Sequence, residues 1–97
     1  MTKFECNREK ARSNAVKHKI TFTEAGRALK QSTSLTNRSP QFDTHGEERF
    51  ISITKKASGR AIVVIWTPRE ENARIISVRH ARKKEQEAFD AYLQKIQ

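Results

Sequence analysis

Four cationic side chains and a histidine crowd the segment Arg79-His-Ala-Arg-Lys-Lys84, where strand-forming residues give way to helix formers. A helix N-terminus already carries about half a unit of positive charge, so exposed cations there cost roughly 0.3–1 kcal/mol each. With a helix beginning near Ala81, Glu85 and Glu87 stand at or beyond its first turn and offset only part of that cost. A chain tuned for stability alone would place acids at 82–84. Basic residues beside free helix amides make an anion site, so the junction reads as a phosphate seat. The alternative is a solvated basic face on a basic protein.

A second set of cations lies on the preceding strand, Arg74-Ile-Ile-Ser-Val-Arg79. Strict alternation puts Ile75, Ser77 and Arg79 on one face and Arg74, Ile76 and Val78 on the other. Arginines on a rigid strand are held firmly, as stabilising the charge of a phosphoryl transition state requires. Equally, they can flank a buried strand with their stems packed and their heads in water. Proton carriers are available in His18, His45 and His80. His45-x-x-Glu48 offers two ligands three apart with no third, so no metal site and no cofactor is expected. Carboxylates are too scattered for a two-metal nuclease. A nuclease built from these residues is expected to work without metal, through the 2′-hydroxyl that RNA has and DNA lacks. Trp66 is the one candidate platform for stacking a base, with a core role as its alternative. Cys6 reads as a small core residue.

Positioning these groups requires a fold. The 97 residues allow one domain, 1–97, burying roughly 60–70% of the surface of the unfolded chain. Lys and Arg number 20 against 11 Asp and Glu, a net charge of +9 that points to a polyanionic partner. The longest apolar run, Ala61–Trp66, is a buried strand in length, far short of a membrane span. A single cysteine and no apolar leader at the N-terminus make a reducing cytoplasm the expected setting.

Residues 8–18 read as a helix with a thin apolar stripe of Ala11, Ala15 and Val16. Thr21-Phe-Thr-Glu24 has capping-box spacing and opens a second helix that carries Phe22, Ala25 and Leu29 and fades near Gln31. A short strand at 35–37 precedes a loop from Arg38 to Gly46. Strands at 49–54, 61–66 and 74–79 follow, joined by turns at 55–59 and 68–72, with Gly59 free to take positive φ. A helix over about 81–95 presents Phe89, Tyr92, Leu93 and Ile96 as one stripe. The expected architecture is α+β: N-terminal helices, a three- to four-stranded, mainly antiparallel sheet with helices over one face, and a C-terminal helix.

Phe4 and Glu5, Lys10-Ala11, Asn14, Lys17-His18 and Phe22-x-Glu24-Ala25 form an ordered series of motifs. It continues through Glu47-Glu48-Arg49, Gly59-Arg60, Val63-Val64, Thr67, Arg69 and Arg74-Ile-Ile-Ser77, and ends in Arg79, Ala81 and Glu85. In order and spacing the chain resembles the BrnT toxins of bacterial type II toxin–antitoxin systems over about residues 4–92. It departs from their pattern at Cys6-Asn7 (usually Trp-Asp), Lys19 (usually Gly), Arg82 (commonly Thr), Phe89 (frequently Tyr) and Asp90 (usually Glu).

The resemblance implies a RelE-like fold and a ribonuclease activity that stops translation. It also implies a cognate antitoxin with a DNA-binding dimerisation domain, in a 2:2 heterotetramer that touches DNA only through the complex. On that basis Arg49, Arg74 and Arg79 are expected to hold the scissile phosphate, with Arg69 reaching the same surface. Glu48 or a histidine, His80 before His18, would move protons, and Lys17, His18, Arg82, Lys83 and Lys84 would track the RNA backbone. The competing expectations are a non-catalytic basic module for nucleic acid or protein, and a toxin of related fold acting on another target such as DNA gyrase.

Overall fold

The computed structural model describes residues 4–39, 48–70 and 72–96, with side chains from residue 7 onward. The elements run β1 (Phe4–Cys6), α1 (Arg8–His18), α2 (Phe22–Gln31), β2 (Leu35–Arg38), β3 (Phe50–Lys55), β4 (Ala61–Arg69), β5 (Asn72–His80) and α3 (Lys83–Ile96). They build one sheet in the order β1-β5-β4-β3-β2. Strands β2 to β5 form the expected antiparallel meander. The three-residue β1, too short to leave a pattern in sequence, adds a parallel fifth strand against Ala73–Ile75.

Local chemistry sets the helix bounds. Asn7 caps α1, its Oδ1 accepting from the amides of Glu9 at 2.9 Å and Lys10 at 3.2 Å. Lys19 closes the same helix in the left-handed region at φ 57°, with its amide bonded to the Ala15 carbonyl. A side chain makes that conformation costly, and glycine does not. Lys19→Gly is therefore expected to stabilise the fold by about 0.5–1 kcal/mol, measured by urea denaturation. The Thr21 capping box forms as its spacing predicts: Glu24 N donates to Thr21 Oγ1 at 3.0 Å, and Thr21 N to Glu24 Oε1 at 3.4 Å.

Both faces of the sheet are covered, where the sequence suggested one. Ile62 and Val64 of β4 join Ile20, Phe22, Ala25, Ala28, Ile75 and Val78 beneath α1 and α2. The intervening Ala61 and Val63 turn the other way, onto Ile53 and Phe89 beneath α3. This double burial is why Ala61–Trp66 is apolar throughout. Helix α3 holds on through Phe89, 1% exposed, with Tyr92 and Leu93 at the margin. Ile96, expected in the same stripe, is 52% exposed. Helix α3 packs on that face over β3, near Ile53.

Strand β5 departs from strict alternation. Ile65 pairs with Ser77, but the next residue, Trp66, pairs with Ile75, so Ile76 is an extra residue in a β-bulge. Ile75 and Val78, three apart, consequently lie in the same core cluster. The amide of Val78, turned from β4, donates to Oδ1 of buried Asn14 at 3.2 Å, while Asn14 Nδ2 donates to the Ile20 carbonyl at 3.3 Å. One amide side chain ties α1 to both the bulge and the entry to α2.

Candidate nucleic-acid interface

The bulge decides where the arginines go. Arg74 pairs with Thr67, and Arg79 with Val63. Directly paired residues share a face, and Val63, Ile65 and Thr67 alternate onto one face of β4. Arg74 and Arg79 therefore lie on the same side of the sheet, correcting the opposed placement that strict alternation predicts. Continuing the β3–β4 ladder one step beyond Phe50–Trp66 sets Arg49 beside Thr67. Arg49, Thr67 and Arg74 form a row across three strands, the two arginine backbones about 10 Å apart at the usual strand spacing. Arg69 follows two residues along β4 on the same face, opposite Asn72. It belongs to the end of the strand, not to the turn expected at 68–72. Only Glu70 and its successor separate the strands, with Glu70 at φ 50°.

Thr67 is the centre of this row, and its residue type alone assigns it no such place. It is 2% exposed, and its hydroxyl donates to the Glu48 carbonyl at 2.6 Å. That bond extends the hold on β3 past its formal end and fixes the backbone entering Arg49. Glu48 itself is exposed, with its carboxylate paired to Arg38. His45 and Glu47 lie outside the described residues.

Arg79 sits four pairs along the strand from the row, about 13 Å away. Its Nη1 and Nη2 donate to Glu85 Oε1 and Oε2 at 2.7 Å each, and Nη1 also reaches the His80 carbonyl at 3.3 Å. Helix α3 begins at Lys83, so Glu85 falls in its first turn, where it accepts from the Arg82 amide at 2.8 Å. Glu85 thus supplies the returning half of a capping box. The phosphate seat expected at this junction is filled by the chain's own carboxylate, because the helix starts two residues later than its composition suggests. Arg82, Lys83 and Lys84 point into solvent around it.

The Arg79 guanidinium, followed by the Arg82 amide, holds the Glu85 carboxyl below its ordinary value, against the opposing effect of burial. The same ion pair raises Arg79. A carboxyl with a depressed folded pKa contributes stability above its unfolded value of 4.5 and loses it as pH falls through the folded value. Glu85→Ala is expected to cost about 1–2 kcal/mol at pH 7 and to flatten the acid limb of a stability–pH curve below pH about 4.5. Urea melts of both proteins from pH 3 to 7 check this.

His80, across from Ile62, faces α1 and α2 and so stands on the opposite side of the sheet from the arginine row. Its Nε2 is enclosed and makes no hydrogen bond among the described residues. Burial lowers its pKa, as do the nearby charges of Arg60, Lys56 and His18, with Glu24 opposing. The structure therefore brings His80 together with His18 and separates both from Arg49, Arg69 and Arg74. A depressed histidine pKa means stability that is complete above about pH 6.5 and falls as the pH drops below it. The His80→Gln protein is expected to lose less stability than the parent between pH 7.5 and 5.5, a comparison made by urea denaturation. Trp66 packs on the first core, stacks on Phe50 at 4.9 Å between centroids and donates Nε1 to Ser52 Oγ at 2.9 Å, so its ring and its polar atom both serve the fold.

The fold is thus an α+β domain with a row of basic side chains across three strands of one sheet face. Residues 7–85 match the family model described as the ribonuclease toxin BrnT of type II toxin–antitoxin systems. The chain belongs to that family, whose description gives RNA as the target and implies an antitoxin as the partner. The structure is similar to the crystal structure of the Brucella abortus ribonuclease toxin BrnT, with a TM-score of 0.63 and 19% identity over 86% of this chain and 100% of that one. That likeness shows the α+β fold. A search of curated proteins finds no match. Among the described residues no helix is long and apolar enough to cross a membrane.

Proposed function

We propose that this chain inhibits translation by cleaving RNA without a metal ion, at the arginine row that crosses β3, β4 and β5. Carrying this reading is the row of Arg49, Thr67 and Arg74, with Arg69 beside it, on one face of the sheet. Arg49, Arg69 and Arg74 would hold the scissile phosphate and offset the charge that develops as the 2′-oxygen attacks. Arg79 acts at one remove, fixing the start of α3 through Glu85. Glu48, adjacent in sequence to Arg49, would move a proton only after its carboxylate leaves Arg38, which pairs with Phe50 and so lies on the other face of the sheet. His80 and His18 are withdrawn from that role by their position across the sheet. Arg82, Lys83 and Lys84 border the same face from the start of α3 and would track the RNA backbone.

A cytoplasmic setting accords with this activity, as does neutralisation by a cognate antitoxin in a 2:2 assembly that alone contacts DNA. Inducing the chain alone in bacteria is the test. Labelled amino acid incorporation is expected to stop within minutes and to recover when the neighbouring antitoxin frame is co-expressed. Arrested DNA synthesis with intact RNA and continuing translation would instead mark a toxin of another target, and no arrest of any kind a binding module.

A further inference from the structure

Helix α1 carries a row of Lys10, Ser13, Asn14 and Lys17 at spacings of three and four, the positions where a packing helix normally sets apolar residues. That polar row borders a cleft of about 390 Å³, completed by Glu9, His18, Ile76 and Ser77. It is shallow and open to solvent, and its lining has two lysines and a histidine against one carboxylate. The floor is the β5 bulge itself, a device that re-aims side chains beside functional sites. The cleft exists because β1 stops pairing at Cys6–Ile75, leaving the edge of β5 beyond Ile75 to α1 instead of a strand.

Ser77 connects this cleft to the arginine face. It lies in the cleft lining, yet pairs with Ile65 and so shares a face with Arg74 and Arg79. We infer that the cleft seats one phosphate, with its ribose, of the RNA strand as it leaves the arginine row over the bulged edge of β5. This rests on the RNA-cleaving function proposed above. Lys10 and Lys17 supply the charge and the Ser13 hydroxyl a donor in the cleft, while the Ser77 hydroxyl, on the arginine face, meets the strand before it crosses the edge. Both lysines are exposed and can be replaced without disturbing the core.

The test uses a short all-2′-deoxy oligonucleotide, which binds but cannot be cut, titrated into the isotope-labelled protein and followed by amide NMR shifts. The expected result is shifts at Ser13, Lys17 and Ser77 together with those at Arg49 and Arg74. Lys10→Gln/Lys17→Gln is expected to abolish the cleft shifts and to bind about tenfold more weakly at low salt. Its salt slope should be smaller by about 0.7 for each phosphate no longer neutralised. Shifts confined to the arginine face, with unchanged affinity in the double variant, overturn the cleft assignment and leave the RNA reading standing. No shifts on either surface overturn both. Cleft amides that shift with an equimolar acidic peptide and not with the oligonucleotide also overturn the assignment, making the cleft a protein-binding surface.

Discussion

Arg74→Ala is expected to slow RNA cleavage by about 10²–10³-fold in single-turnover assays while leaving the melting temperature nearly unchanged. Removing one positioned donor from a developing oxyanion typically costs that much. Arg74 pairs with Thr67 towards the β4–β5 turn, and its neighbours Ala73 and Ile75, 3% and 2% exposed, carry the local packing. Those two residues stay in the variant, so the core beneath them is expected to be kept. Arg79→Ala should behave differently. That side chain is held by two 2.7 Å bonds to Glu85, so its removal strands a carboxylate at the start of α3. Stability should fall by about 1–3 kcal/mol, and cleavage should drop only as far as α3 loosens. Rates and urea melts on both variants separate an arginine that touches RNA from one that positions a helix.

The largest structural effect is expected at Phe89. Phe89→Ala should cost about 3–5 kcal/mol, a large share of what a domain of this size holds in reserve. The ring is 1% exposed among Ile53, Ala61 and Val63, and Lys55 Nζ lies over it at 5.9 Å from the centroid. No other side chain of α3 is fully buried. Once the ring is gone, the helix keeps its Glu85 tether and the marginal packing of Tyr92 and Leu93, and its last turn should exchange amide protons well ahead of the sheet. Hydrogen exchange on the variant should show α3 opening as a unit. Uniform loss of protection across the molecule would show instead that α3 and the sheet unfold together. The same residue stands where the family frequently has tyrosine, and its full burial gives that position a packing role in this chain.

Short-range chemistry was legible in the sequence. The bounds of α1, the Thr21–Glu24 capping box and the three long strands all depend on residues within a few positions of each other. Long-range chemistry was not. The β5 bulge has no glycine or proline to announce it in Ile75-Ile76-Ser77; it is matched by Asn14, 64 residues away, which accepts from the displaced Val78 amide. Missing the bulge puts Arg74 and Arg79 on opposite faces, and with it the arrangement of the whole site. The α3 junction misleads for a similar reason. With no serine, threonine, aspartate or asparagine from 79 to 82, nothing marks the cap, and the capping is done in reverse by Glu85. His80 looks like a partner of Arg79 because the two are adjacent, although neighbours on a strand face opposite ways. Of the remaining candidates, the Cys6 side chain and the His45 position lie outside what the structure describes.

Mapping the ends left on RNA cut by this protein in excess chelator, with and without a single 2′-deoxy substitution at the cleaved position, tests the central claim most directly. Cleavage that persists in chelator, leaves 2′,3′-cyclic phosphate, stops at the 2′-deoxy position and falls at least a hundredfold in Arg74→Ala is the predicted result. Cleavage abolished by the chelator, or insensitive both to the missing hydroxyl and to the loss of Arg74, would contradict it.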